Sequence, residues 1–241
     1  MAAREDVLAA VRAALAGEPR VALYHRSIRI DLADDVLTLD GEVPGVAGKK
    51  LALERAAAVP GVGGIVDRLR VTPAQPMGDR EIRDHLRDAF LQEPALAELT
   101  LKRRSGDTSE LVREPPETGR GWIELGVEDG VVTLNGEVPG LGHKRLAGVL
   151  AWWVPGSRDV INGVAESPTE TDNDEEITDA VRIALEKDPF VNAGQIRVST
   201  ADCVVTLRGL VPTESEKEMA EADAWYVFGV DGVVNELAVK A

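Results

Sequence analysis

Cysteine is nearly absent. Cys203 is the only one in 241 residues, so no disulfide framework holds the fold. No apolar run approaches the ~20 residues that cross a bilayer as a helix. The N-terminus, Met1 to Asp6, lacks the charged-then-apolar pattern of a leader and runs straight into an amphipathic helix. Both features point to a reducing cytoplasm, or to the periplasm if a leader had been removed. Basic residues are in short supply, 27 against 42 acidic ones, for a net charge of −15. The excess lies beyond residue 78: the first 78 residues balance, residues 79–165 carry −4 and residues 166–241 carry −11. Such a chain is repelled by polyanions at long range. That excludes nucleic acid as a main partner, because phosphate neutralisation supplies most of that affinity. The three histidines, His25, His85 and His143, fall in separate segments without metal-ligand spacing. Cys203 sits on an expected turn with no base beside it, so it reads as a plain thiol. Nothing brings an acid, a base and a pocket together. The expectation is therefore a protein without catalytic residues, cofactor or metal.

What the chain does have is one stretch written three times. Asp34 to Gly45, Asp129 to Gly140 and Asp202 to Thr213 each combine a tight turn, a β-branched strand, a glycine exit and a turn into a helix. Before each stretch lies a helical pattern: Val7, Leu8, Val11, Ala14 and Leu15; Ile82, Leu86, Ala89 and Phe90; Ile177, Val181, Ala184 and Leu185. From the first apolar residue to the terminating proline the interval is 12 positions in every copy. Alternating residues then mark a strand: Ile28, Ile30 and Leu32; Ile123, Leu125 and Val127; Ile196 and Val198. The turn pairs are Asp34-Asp35, Asp129-Gly130 and Asp202-Cys203, of which Asp-Gly is the strongest two-residue hairpin signal.

Gly41, Gly136 and Gly209 close the second strand, where a glycine bends the strand or lets a helix approach. An alanine-rich second helix follows, with inward faces Leu51, Ala52, Ala56 and Val59; Ala147, Leu150, Ala151 and Val154; Ala220, Ala224 and Val227. Gly61, Gly156 and Gly229 fit the left-handed residue past its end, each 20 positions after the strand glycine. A last strand ends each unit: Ile65 to Val71, Val160 to Val164 and Val233 to Val239. The fold expected is α+β: three tandem αββαβ domains, at 4–72, 79–166 and 174–240. Each has a three-stranded mixed sheet with two helices on one face, the second and third strands joined by a right-handed parallel crossover.

Residues 72–78 read as a stiff, proline-bearing linker, and residues 165–174 as an acidic, more flexible one. The middle copy carries an insertion, at about 97–121. Pro94 to Ile123 spans 29 positions, against 9 and 7 in the other copies. It reads as a long surface loop, with Lys102-Arg103-Arg104 and Glu114-Pro115-Pro116-Glu117 inside it. Gly45 to Lys50 echoes a phosphate loop but lacks its glycine spacing and the Ser or Thr after the lysine, leaving at most a weak anion site at a helix N-terminus. The acids from Asp172 to Glu176 read as helix N-terminal acids favoured by the macrodipole.

Taken together, the Val-x-Leu-x-Gly strand, the Ala-x-x-x-Ala-x-x-Val-x-Gly helix end and the final Val234-Asn235-Glu236-Leu237, echoed by Val66-Asp67-Arg68-Leu69 and Ile161-Asn162-Gly163-Val164, resemble the BON domain. The resemblance covers most of the chain outside linkers and insertion. It implies the αββαβ fold and a binding role, often phospholipid or membrane association in bacterial envelope and osmotic-stress proteins. Some members with that fold sit in the cytoplasm and bind potassium.

Trp152-Trp153 and Trp225-Tyr226 stand at the same place near the end of the second helix, where the first copy has Ala57-Ala58. At ~100° per residue they lie off the inward face. They pack either on a neighbouring helix or unit, or form an apolar surface for a membrane interface or a partner. With Lys102, Arg103, Arg104, Lys144 and Arg145 they make the candidate lipid- or partner-binding set, since basic charge beside aromatics suits anionic headgroups. Two functions follow as expectations. The first is a non-enzymatic binding protein for a phospholipid or membrane surface, linked to osmotic or envelope stress. The second is a cytoplasmic scaffold or sensor that binds a cation such as potassium, or a protein partner.

Overall fold

The structure is a computed structural model that describes residues 4–22, 24–115, 119–169 and 171–240. Met1 to Ala3, Pro116, Glu117 and Glu170, named above, lie outside the described residues. The chain divides into two compact units, residues 1–72 and 73–241.

The first unit is one module: α1 (Arg4–Gly17), β1 (Arg29–Ala33), β2 (Val36–Val43), α2 (Val46–Ala57) and β3 (Gly64–Val71). β2 pairs antiparallel with β1 and parallel with β3. The apolar stripe of α1 buries Val7, Leu8, Val11 and Leu15, and α2 buries Ala52 and Ala56 beside Leu37, Leu39 and Leu69 of the sheet. Small alanines let the helix lie close on the strands. Lys49 is buried, its Nζ 2.9 Å from Asp67 Oδ2 and 2.8 Å from the Leu69 carbonyl. The lysine of the phosphate-loop echo therefore joins α2 to β3.

The second unit holds the other two modules. The second comprises α3 (Asp79–Gln92), a 3-10 turn at Pro94–Leu96, β4 (Thr100–Ser105), β5 (Thr108–Arg113), β6 (Trp122–Glu128), β7 (Val131–Val138), α4 (Leu141–Trp152) and β8 (Asp159–Glu166). The third comprises α5 (Asp174–Lys187), β9 (Ile196–Ala201), β10 (Val204–Val211), α6 (Glu214–Tyr226) and β11 (Gly232–Val239). The expected three strands hold in the first and third modules. In the second the sheet has five, in the order β5-β4-β6-β7-β8.

The two extra strands are the insertion, which is a hairpin and not the long surface loop expected. Leu96, Leu99 and Leu101 anchor it by entering the same core as Ile82, Leu86, Phe90, Ile123 and Leu125. Arg113 ties its far strand down, donating to the carbonyls of Leu96 (2.5 Å) and Leu99 (3.3 Å). Partial burial lowers the Arg113 pKa.

Of the two causes expected for the strand glycines, a bend in the strand or the approach of a helix, the close neighbour found is not a helix. Gly136 has φ 149°, and a Cβ there would stand 2.0 Å from the Trp122 carbonyl oxygen. Gly209 repeats this against Gln195. The close neighbour is the backbone entering the adjacent strand. Past the second helix, Gly61 and Gly229 have positive φ, but Gly156 is not among the positive-φ residues. A Cβ on Gly156 would meet Met77 at 2.7 Å and Ile82 at 2.9 Å, so packing is what demands glycine there.

The hairpin turns are held from below. Asp79 opens α3 and accepts from the backbone N–H groups of Asp129 and Gly130, at 2.9 and 2.8 Å. Asp174 opens α5 and does the same for Asp202 and Cys203, both at 2.9 Å. A side-chain carboxylate thus satisfies turn donors that the ladder cannot reach. Asn173 caps α5 by accepting from Glu175 and Glu176.

Candidate functional site

The candidate residues from the sequence fall into two places. The first is the contact between the second and third modules, inside the 73–241 unit. The Trp152 and Tyr226 rings stack at 6.0 Å with 11° between their planes. Trp153 Nε1 donates to Asp223 Oδ1 at 2.8 Å, and Trp225 is 3% exposed. Arg145 is 1% exposed. Its Nε donates to the Phe228 carbonyl at 2.9 Å and its Nη2 to Asp172 at 2.5 Å. Lys144 bonds Glu166 at 3.2 Å, and its Nζ stands 5.2 Å from the centre of the Phe228 ring. Lys144, Arg145 and the rings of Trp152, Trp153 and Tyr226 are therefore engaged across the module contact, and Trp225 is buried. The reason is the position of the pairs on their helices: off the inward face of α4 and α6, they meet where these helices approach each other.

Asp223 is the electrostatic oddity of this contact. Burial is the main cause that raises its pKa from 3.8 to about 8, aided by the nearby Asp188 and opposed by the hydrogen bond from Trp153. Its Oδ2 has no donor among the described residues when the carboxyl is ionised. A proton on Asp223 lets it bond Asp188. Tyr226, close to the same two carboxylates, is also pushed upward, chiefly by burial.

The second place is the inserted hairpin, where Lys102, Arg103 and Arg104 remain. Strand alternation divides them. Leu101 pairs with buried Ile123, and Arg103 with buried Leu125, so both point to the helix side. Lys102 and Arg104 point to the other face, away from α3 and α4. On that face Lys102 pairs with Leu111 of β5 across the ladder, and its Nζ lies 4.9 Å from the centre of the Trp122 ring. Arg104 Nη1 stands 3.6 Å from Glu124 Oε1. Trp122 is 38% exposed and Leu111 59%.

The outer face of the hairpin thus joins two exposed apolar side chains to two cations. Trp122 and Leu111 were not singled out from the sequence. Trp122 could have been: it precedes Ile123 in an alternating strand whose odd members face the core, so it must face outward. Leu111 carries no such signal, because the insertion has no repeat partner and no strand pattern of its own.

Among solved structures, the C-terminal domain of CdsD, a structural protein of the type III secretion system of Chlamydia trachomatis, aligns over 100% of both chains at 13% identity with a TM-score of 0.26. A second CdsD structure aligns over 98% of this chain and 92% of that one, at 13% identity and a TM-score of 0.25. No curated protein matches the sequence. The family model of the BON domain matches residues 4–73, 109–167 and 173–241. The second match begins within the inserted hairpin and omits α3, which the insertion displaces in sequence but not in space. With three matches across most of its length, this chain belongs to the BON domain family, whose members are binding rather than catalytic domains associated with phospholipid and membrane.

Proposed function

We propose that this protein associates with anionic phospholipid surfaces through the outer face of the hairpin in its second module. The observation that carries this reading is the cluster of Trp122, Leu111, Lys102 and Arg104 on the sheet face opposite α3 and α4. An indole at the level of the headgroups combines apolar contact with a polar edge. Lysine and arginine beside it add roughly 1 kcal/mol each near an anionic surface. The local charge offsets the overall −15 because screening confines repulsion from distant acids to about a Debye length.

Flotation with vesicles containing phosphatidylglycerol tests it. The wild type floats with anionic vesicles and stays down with neutral ones. Trp122→Ala combined with Lys102→Ala lowers the floating fraction severalfold, while Trp152→Phe leaves it unchanged. Equal flotation of the Trp122 and Lys102 double variant and the wild type overturns the reading. The same surface chemistry suits a role in envelope or osmotic stress.

A second reading draws on a different observation. The second and third modules pack through Trp152, Trp153 and Tyr226, as a scaffold or sensor for a cation such as potassium, or for a protein partner, would require. Tryptophan emission during a potassium titration at constant ionic strength checks it. A saturable change supports a sensor, and a flat response counts against one.

A further inference from the structure

On the helix side of the same sheet lies a cleft of about 420 Å3 lined by Arg80, Arg83, Asp84, Arg87, Arg103 and Ser105. Its volume falls within the ~300–1,000 Å3 of small-molecule sites. Four guanidinium groups converge there against one lining carboxylate, in a chain whose net charge is −15. Arg80, Arg83 and Arg87 are spaced at i, i+3 and i+7, which places them along one face of α3. Arg103 comes from the inserted hairpin, an element that the first and third modules lack.

The state of each arginine matters. Arg87 is held by Asp84 at 3.1 Å and by Asp88 at 2.7 Å. Arg83 donates to the Val127 carbonyl at 3.2 Å. Neither Arg80 nor Arg83 has a carboxylate partner among the described residues. Arg103 gives one nitrogen to Glu110 at 2.5 Å, but its Nε is buried with no acceptor among the described residues. A buried guanidinium N–H without an acceptor is uncommon in folded proteins and calls for one. A tetrahedral oxyanion supplies several acceptors at once, in the geometry that an arginine fork matches.

We propose that this cleft is a binding site for a phosphate group, either free or as the monoester of a lipid headgroup, held by Arg80, Arg83 and Arg103. Arg87 is oriented by its two aspartates and closes the positive rim. Asp84 disfavours a ligand that carries charge beyond the phosphate itself. The site is separate from the hairpin's outer face, since Arg103 and Lys102 point to opposite sides of one strand. Membrane association through Trp122 and phosphate capture here can therefore fail independently.

The test uses the full chain with arginine Nε–H NMR signals as the readout. Inorganic phosphate, at constant ionic strength, shifts the Arg103 and Arg83 signals saturably, and chloride does not. Arg80→Gln with Arg83→Gln weakens phosphate binding at least tenfold, and Trp122→Ala leaves it unchanged. If the double variant melts below the wild type, Arg103→Lys carries the test: it keeps the charge but loses the Nε donor, and it too must weaken binding. Vesicles with phosphatidic acid that displace inorganic phosphate assign the site to a lipid headgroup; vesicles that fail to displace it assign the site to a soluble phosphate. Equal shifts with chloride, or wild-type affinity in both variants, overturn the proposal.

Discussion

At the scale of single residues, two sites carry strain that a substitution can release. Cys203 has φ 60°, in the turn where the second module has Gly130 at φ 75°. A non-glycine residue in that region costs roughly 1–2 kcal/mol. Cys203→Gly should therefore stabilise the protein by about 1 kcal/mol, after the entropy that glycine loses on folding. A urea melt checks this. The sequence exposed the turn but not its conformation, because only Asp-Gly announces two positive φ angles.

Asp223 gives a prediction in pH. Its pKa in the fold, about 8, lies above the ordinary 3.8. Between those values the folded chain binds more protons than the unfolded one, so this group's contribution to stability is full below about pH 4 and is lost as pH rises through about 8. Asp223→Asn keeps an oxygen for Trp153 and carries no charge. It should stabilise the protein at pH 8.5 by ~1–3 kcal/mol, the cost of a buried group left without a partner, and much less at pH 5. Melting curves at the two pH values decide it; equal differences at both would contradict it.

At the scale of elements, the inserted hairpin is part of the core and not an appendage. Leu101 is 2% exposed among the core residues, whereas Leu111, on the opposite face, is 59% exposed. Leu101→Ala should cost about 2–5 kcal/mol and Leu111→Ala under ~0.5 kcal/mol. Denaturant titration of the two variants tests this contrast. The helices and strands of the three repeats were legible in the sequence, because periodicity and two fixed intervals, 12 and 20 positions, recur in all copies. The hairpin was not. Thr100 to Arg113 contains three consecutive basic residues and no repeat partner to compare with, and its strands are specified by pairing, β4 with β6 and β5 with β4, rather than by their own pattern. Tertiary pairing overrides weak local β propensity in such segments.

At the scale of the whole molecule, the same logic explains why all of the candidate site but Lys102, Arg103 and Arg104 lies at the contact between modules. Position on a helix wheel places Trp152, Trp153, Trp225 and Tyr226 off the inward faces of α4 and α6, although Trp153 also packs against the core of its own module. It could not show that the second and third modules meet there, since that contact joins residues far apart in sequence, such as Trp153 and Asp223, 70 positions from each other. Repetition supplied the material for this contact: of two equivalent aromatic pairs, absent from the first module, Trp152 and Tyr226 stack across it. The element that breaks the repeat, the hairpin, turns Leu111 to the same open face as Trp122 of β6 and Arg103 to the helix side.

The most direct check is on the four tryptophans themselves, labelled with 5-fluorotryptophan and followed by fluorine NMR as nanodiscs of phosphatidylglycerol with a spin-labelled lipid are added. The Trp122 signal should broaden first and furthest, with those of Trp152, Trp153 and Trp225 little changed. Broadening of the other three with Trp122 unaffected would contradict binding through the hairpin.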